Sequence, residues 1–110
     1  MKNSIINILN QNELEITKEN HWLIKKLMNL YPNKIEKFEL QRRLLSRFTG
    51  YNIKTCRDCA VAMDNSGYQG HDTLGFLDTL RIKKIVERCF EGDEECYVLT
   101  KEAYDRLHNK

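Results

Sequence analysis

Apolar residues recur every three or four positions through residues 17–66, which predicts a series of amphipathic helices. The first helix follows the N-cap Thr17 and ends at Pro32, the second covers about 34–49 and the third about 53–66. Gly50 and Gly67 stand where a glycine commonly ends a helix. The expected buried positions on these helices are Trp22, Leu23, Leu27, Leu30, Tyr31, Ile35, Phe38, Leu44, Leu45, Phe48, Ile53, Cys56, Cys59 or Ala60, and Met63.

A short helix capped by Asp72 is expected next, with its apolar face formed by Leu74, Leu77 and Leu80. The period of the pattern changes after Arg81, so that residues 82–90 and 95–100 are predicted strands. Gly92-Asp93 forms a two-residue hairpin turn with glycine first. This turn pairs Cys89 with Cys96, Arg88 with Tyr97 and Val86 with Leu99, and it predicts a core-facing side made of Val86, Phe90, Tyr97 and Leu99.

These elements predict one mainly α domain with a two-stranded β-hairpin, of the α+β class, over residues 1–110. Residues 1–16 are a lead-in, in which 4–10 form a short helix or irregular chain. A helical bundle covers 17–81, the hairpin covers 82–100, and a C-terminal helix capped by Thr100 covers 101–110.

The charge balance argues against a strongly basic nucleic-acid binder, because the net charge is only +2. Residues 1–50 carry nine Lys and Arg against five Asp and Glu, while residues 51–110 carry nine against eleven. The apolar start at Ile5 and Ile6 is interrupted by Asn7, which is not the pattern of a signal peptide or a membrane span. We therefore expect a cytoplasmic protein. Its abundance of Asn, Lys and Ile is typical of AT-rich coding in low-GC bacteria and their phages.

The segment from Leu74 to Leu107 contains a set of spaced apolar and turn-flanking residues. They are Leu77, Leu80, Ile85-Val86-Glu87-Arg88, Tyr97-Val98-Leu99-Thr100 and Leu107. In these residues the segment resembles the end of winged-helix transcription regulators of the MarR and PadR kind, and the resemblance covers about a third of the chain.

The resemblance implies a winged helix-turn-helix with an extra N-terminal helix and a bacterial or phage regulator that binds double-stranded DNA. The first and last helices of such regulators form a homodimer interface, for which Trp22, Tyr31, Tyr104 and Leu107 are candidates; packing within one chain is the alternative.

Two segments are candidates for the helix that reads DNA. In the first interpretation the helix covers residues 71–81, and the nucleic-acid-binding residues are His71, Thr73, Arg81, Lys83 and Lys84. In the second, Thr49 to Asn52 form the turn of a helix-turn-helix and the reading residues are Lys54, Thr55 and Arg57. Arg42, Arg43 and Arg47 then form either a strip facing phosphates or a solvated helix face.

The hairpin tip departs from the resemblance, because Glu91, Asp93, Glu94 and Glu95 would repel phosphates. The alternative function is therefore a protein-binding winged-helix module, such as a phage-encoded inhibitor of a host nuclease or defence protein. Its acidic hairpin would then imitate phosphate or dock on a basic surface.

Cys56, Cys59, Cys89 and Cys96 allow three interpretations. Buried free thiols are favoured, because Cys56 and Cys59 lie on the apolar side of a helical pattern. A Cys89–Cys96 disulfide or redox pair and a four-cysteine zinc site are the alternatives. The sequence has no Gly-rich phosphate loop and no motif of a hydrolase or metalloprotease, so neither an enzyme nor another cofactor is expected.

Overall fold

The computed structural model describes residues 2–67 and 71–108, and over these ranges it has six helices and three strands. The side chains of residues 2, 3, 56 and 71–74 lie outside this description. The elements are α1 (Lys2–Gln11), α2 (Lys18–Leu30), β1 (Ile35–Glu36), α3 (Lys37–Thr49), α4 (Cys56–Ser66), α5 (His71–Ile82), β2 (Val86–Glu91), β3 (Glu94–Leu99) and α6 (Lys101–His108). The mainly helical α+β class is confirmed.

Most helix ends lie where the sequence predicts them. The Thr17 side chain accepts from the Asn20 N–H at 3.0 Å, and the Thr100 side chain accepts from the Ala103 N–H at 3.2 Å. Gly50 and Gly67 have φ of +80° and +74° and end α3 and α4 in the left-handed conformation. Three starts differ from prediction: α3 begins at Lys37 rather than about Lys34, α4 begins at Cys56 rather than about Ile53, and α5 begins at His71, one residue before the expected cap Asp72.

The predicted hairpin is confirmed, and a third strand extends it. The pairs Cys89 with Cys96, Arg88 with Tyr97 and Val86 with Leu99 occur as predicted. The sheet order is β1-β3-β2, with Ile35 opposite Tyr97, so β3 is the central strand and the expected two-stranded sheet was incomplete. A strand of two residues is too short to show an alternating pattern, which is why the sequence assigned its residues to the start of a helix.

The first predicted strand began too early, and its Phe90 was wrongly expected in the core. Ile82 belongs to α5 and is 72% exposed, and β2 begins only at Val86. Phe90 alternates correctly with Val86, but it is 58% exposed rather than part of the core. β2 extends beyond the part of the sheet that the helices cover. Alternation alone therefore overestimates the burial of residues near the hairpin tip, such as Phe90.

The main core joins α1, α2, α5, the sheet and α6. The predicted lead-in of residues 1–16 is corrected here, because α1 is a core helix whose Ile5, Ile8 and Leu9 are at most 2% exposed. The apolar residues of this segment extend over only a few helical turns, so the pattern alone did not show that they form part of the core. They are buried because α2 and α6 pack against α1.

A second, smaller cluster joins α3 to α4. It consists of Leu45, Ile53, Cys59 and Ala62, with Phe38 and Met63 packed against it. Of the two alternatives at the centre of α4, Cys59 is buried while Ala60 is exposed. The α4 inward face is therefore rotated towards Ala62.

The residues suggested for a dimer interface make contacts within the chain. Leu107 is 1% exposed in the main core, and the Tyr31 and Tyr104 rings stack with centroids 4.0 Å apart. Trp22 packs partly buried against the same core. Intramolecular packing therefore accounts for Tyr31, Tyr104 and Leu107. Over the described residues, no helix has both the length and the apolar composition needed to cross a bilayer.

Candidate nucleic-acid interface

The start of α4 has its helix N-terminus occupied by a carboxylate of the chain itself. Asp58 accepts from the backbone N–H groups of Lys54 and Thr55 at 2.9 and 3.1 Å, while its own N–H donates to the Thr55 hydroxyl. The Lys54 N–H bond lowers the pKa of Asp58 most, with the Thr55 N–H and hydroxyl adding to it. The side chains of Lys54, Thr55 and Arg57 are exposed. These N–H groups are therefore not free to bind phosphate.

The three arginines of α3 do not form one strip. Arg42 and Arg43 both donate to Glu39, and Arg42 also donates from Nη1 to the Ile53 carbonyl at 2.9 Å, which ties α3 to the start of α4. These bonds, with that of Arg42 the strongest, lower the pKa of Glu39 to about 2. Arg47 instead lines a groove with residues of α2. The three arginines therefore do not form a phosphate-facing strip beside α4, because Arg42 and Arg43 bind Glu39 while Arg47 lies in the groove beside α2.

The end of α5, strand β2 and the start of α6 bring four cations around one open groove. The groove has a volume of about 640 Å³, and its charged lining consists of Arg81, Lys84, Arg88 and Lys101 against Glu87 and Glu102. Of the predicted site residues, Arg81 and Lys84 lie here, whereas Lys83 is exposed beside the groove and does not line it.

Hydrogen bonds hold the backbone of the turn after α5 and join it to the start of α6. Lys84 has φ of +62°, and its N–H donates to the Arg81 carbonyl at 3.0 Å. The Thr100 hydroxyl donates to the Lys84 carbonyl at 2.9 Å, and the Thr100 N–H donates to Ile85 at 3.0 Å. Thr100 therefore both caps α6 and joins it to the end of α5.

Each of these cations keeps part of its charge available to a ligand. Arg81 lies 4.0 Å from Asp78, and Lys101 lies 3.0 Å from Asp105, with the Lys101 side chain 82% exposed. Solvent screens such exposed pairs strongly. Arg88 lies over the Phe90 ring, 5.7 Å from its centroid, and Lys84 is exposed. The backbone of His71 and Thr73 lies in α5, but their side chains are outside the described part.

The acidic hairpin tip is partly neutralised by lysines next to β1. Lys34 lies 3.4 Å from Glu91, and Lys37 lies 3.7 Å from Glu95. The Tyr97 hydroxyl also donates to Glu95 and lowers the pKa of that carboxyl, while burial raises the pKa of Tyr97. Asp93 and Glu94 remain exposed beside Phe90.

The described cysteines lie at two separate places, and no disulfide joins them to one another. Cys59 is buried in the α3–α4 cluster, whereas Cys89 and Cys96 face each other across the hairpin. Burial raises the pKa of Cys96. Among the described residues no group of three His, Cys, Asp or Glu is placed to hold a metal ion, and the Cys56 side chain lies outside them.

Sequence reasoning missed Arg88 and Lys101 as site residues. Strand alternation places Arg88 on the same side as Val86, which the sequence predicted to face the core, so alternation alone did not mark it as a site residue. Lys101 was missed because only the folded chain brings the start of α6 beside the end of α5. No family model, curated protein or solved structure matched the chain.

Proposed function

We propose that this chain is a DNA-binding protein of winged-helix type that regulates transcription rather than an enzyme. The observation that carries the proposal is the groove in which Arg81, Lys84, Arg88 and Lys101 meet. Lys and Arg that converge from separate segments favour the phosphates of a nucleic-acid backbone. The groove lies directly after α5, the helix that would read bases in the first interpretation of the sequence.

The contacts favour α5 over α4 as the reading helix. At the start of α4, the Asp58 carboxylate accepts from the Lys54 and Thr55 N–H groups and places a negative charge where a phosphate would approach. Arg42 and Arg43, which would have supported α4 from the side, are bound to Glu39. Arg81 and Lys84 have weaker intramolecular partners and are joined by two further cations.

The test is fluorescence anisotropy of a labelled duplex of random sequence, titrated at two salt concentrations. The variant Lys84→Gln, Arg88→Gln should weaken binding and reduce the slope of log K against log salt by about 2, since each lost phosphate contact removes about one unit. The matched variant Lys54→Gln, Arg57→Gln changes two exposed cations of α4 and should leave the slope unchanged. Equal effects of the two variants, or no binding at low salt, would contradict the proposal.

A second candidate, docking on a protein through the hairpin tip, is favoured by one observation. Phe90 is 58% exposed next to the exposed carboxylates of Asp93 and Glu94. An aromatic anchor among charges that can steer a basic partner suits a protein interface. The variant Asp93→Lys, Glu94→Lys separates the candidates: it should tighten duplex binding if phosphates lie near the tip, and abolish docking if a basic protein is the partner.

A further inference from the structure

A second groove crosses the outer face of α2, and its charge is more one-sided than that of the first. It has a volume of about 790 Å³ and lies between the loop before α2 and the last turn of α3. No acidic residue occurs among the described residues that line it. Its cations and aromatic rings are Lys18, Lys25, Lys26 and Arg47, with Trp22 and Phe48.

The helix pattern explains why these side chains share one surface. Lys18, Trp22 and Lys25 are spaced by four and three residues, so they lie along one side of α2. The opposite side of α2, including Leu23 and Leu27, is buried in the main core. Gly50 ends α3 two residues after Phe48, so Arg47 and Phe48 stand in the last turn of α3, beside α2.

Among the described residues, the four groove cations form no salt bridge with a carboxylate, whereas several other basic residues do. Arg42 and Arg43 are paired with Glu39, Lys34 with Glu91, and Lys101 with Asp105. Over the described residues no such ion pair involves Lys18, Lys25, Lys26 or Arg47. An anion from outside the chain is therefore the complementary partner.

The aromatic residues of the groove indicate which kind of anionic ligand would bind there. Trp22 and Phe48 are both half-buried and line the groove, and Arg47 lies over the Phe48 ring, 5.7 Å from its centroid. Rings and guanidinium planes of this kind stack with unpaired bases, while the neighbouring cations follow the phosphates. Bases inside a duplex have their faces covered by one another. An acidic peptide would satisfy the cations but would not stack on the flat face of Trp22.

We infer that this groove binds a single-stranded nucleic-acid segment of a few nucleotides, with its phosphates on Lys18, Lys25, Lys26 and Arg47 and its bases on Trp22 and Phe48. The site uses none of the residues proposed to hold duplex DNA. Either proposal can therefore fail without the other.

Trp22 is the only tryptophan of the chain, so its fluorescence reports directly on this groove. We would titrate the full chain with oligothymidylate of about ten nucleotides, within the site sizes of small single-strand binders. The expected result is saturable quenching with a salt slope of about −3, since each of the four phosphates contributes about −0.7. Absence of quenching together with unchanged anisotropy of a labelled oligothymidylate would overturn the inference.

Variants locate the binding. Lys25→Gln, Arg47→Gln changes two exposed side chains and should weaken oligothymidylate binding at least tenfold and halve the salt slope, while thermal unfolding shows that the fold is kept. Phe48→Leu should weaken binding several-fold with the slope unchanged, because it removes stacking and no charge. Lys54→Gln, Arg57→Gln is the matched control, because it removes two exposed cations that line neither groove, and it should bind within twofold of the parent. An equal loss in that control, or tighter binding of an oligoglutamate peptide than of oligothymidylate, would overturn the inference.

Discussion

Glu39 is the residue on which the connection between α3 and α4 depends. It holds Arg42, whose guanidinium also donates to the carbonyl of Ile53, the residue that begins the buried part of the α4 segment. One carboxylate thus orients two arginines and neutralises part of their charge, although Arg43 stays exposed. The pairing of Arg42 and Arg43 with Glu39 also makes the surface beside α4 a poorer candidate for contact with phosphates than that beside α5.

The pKa of Glu39 predicts a specific pH dependence of stability. Its folded value, about 2, is below the usual unfolded value of a glutamate. The stabilisation from Glu39 is therefore complete above about pH 4.5 and is lost as the pH falls towards about 2. Because the side chain is still 30% exposed, we expect Glu39→Gln to lower the free energy of unfolding at neutral pH by only about 1–2 kcal/mol.

Urea unfolding at several pH values checks this expectation. Glu39→Gln should also lose less stability between about pH 5 and pH 2 than the parent, since the group that titrates is gone. The control is Glu15→Gln, which changes an exposed glutamate in the loop before α2. A parallel pH profile for Glu39→Gln and the parent would show that the ion pair does not contribute.

At the scale of elements, the hairpin and α5 depend on glycine in opposite ways. Gly92 has φ of +63° in the β2–β3 turn, a conformation that costs an L-residue about 1 kcal/mol. Gly75 lies inside α5, and a Cβ there meets no atom of the described residues within 4 Å. Glycine inside a helix is less favourable than alanine by about 0.5–1 kcal/mol.

The same substitution at these two positions should therefore change stability with opposite signs. We expect Gly92→Ala to lower the free energy of unfolding by about 1 kcal/mol and Gly75→Ala to raise it by about 0.5–1 kcal/mol. Each variant serves as the control for the other, and chemical denaturation measures both. Two shifts of the same sign would mean that the turn or the helix differs from the structure.

At the scale of the whole molecule, the N-terminal helix completes the core. Leu9 is fully buried, and α1 packs against both α2 and α6, so the two ends of the chain stabilise each other. Leu9→Ala should lower the free energy of unfolding by about 3 kcal/mol, which is usual when a buried leucine side chain is truncated to alanine. Asn7→Ala, which changes an exposed residue of the same helix, should stay within about 0.5 kcal/mol of the parent. Thermal unfolding measures both, and equal effects would place α1 outside the core.

The two basic grooves also belong to this scale, because each collects residues that are far apart in the sequence. One joins the end of α5 to the start of α6, and the other joins α2 to the end of α3. A protein with a net charge of only +2 thereby presents two locally basic surfaces. The hairpin tip collects four acidic residues, whereas only Glu87 and Glu102 line the first groove and no described acidic residue lines the second.

The sequence alone determined the features whose causes are local. Thr17, Gly50, Gly67 and Thr100 marked helix ends, because capping and left-handed conformations depend on one or two neighbouring residues. The Gly92-Asp93 turn set the strand register, because a two-residue loop leaves only one pairing.

Tertiary structure decided everything that depends on which elements meet. It added β1, buried α1, left Phe90 exposed and gathered Arg81, Arg88 and Lys101 around one groove. Burial and charge clustering arise from contacts between distant segments, and a periodic pattern records only that a face is apolar or polar. It does not record what that face will contact.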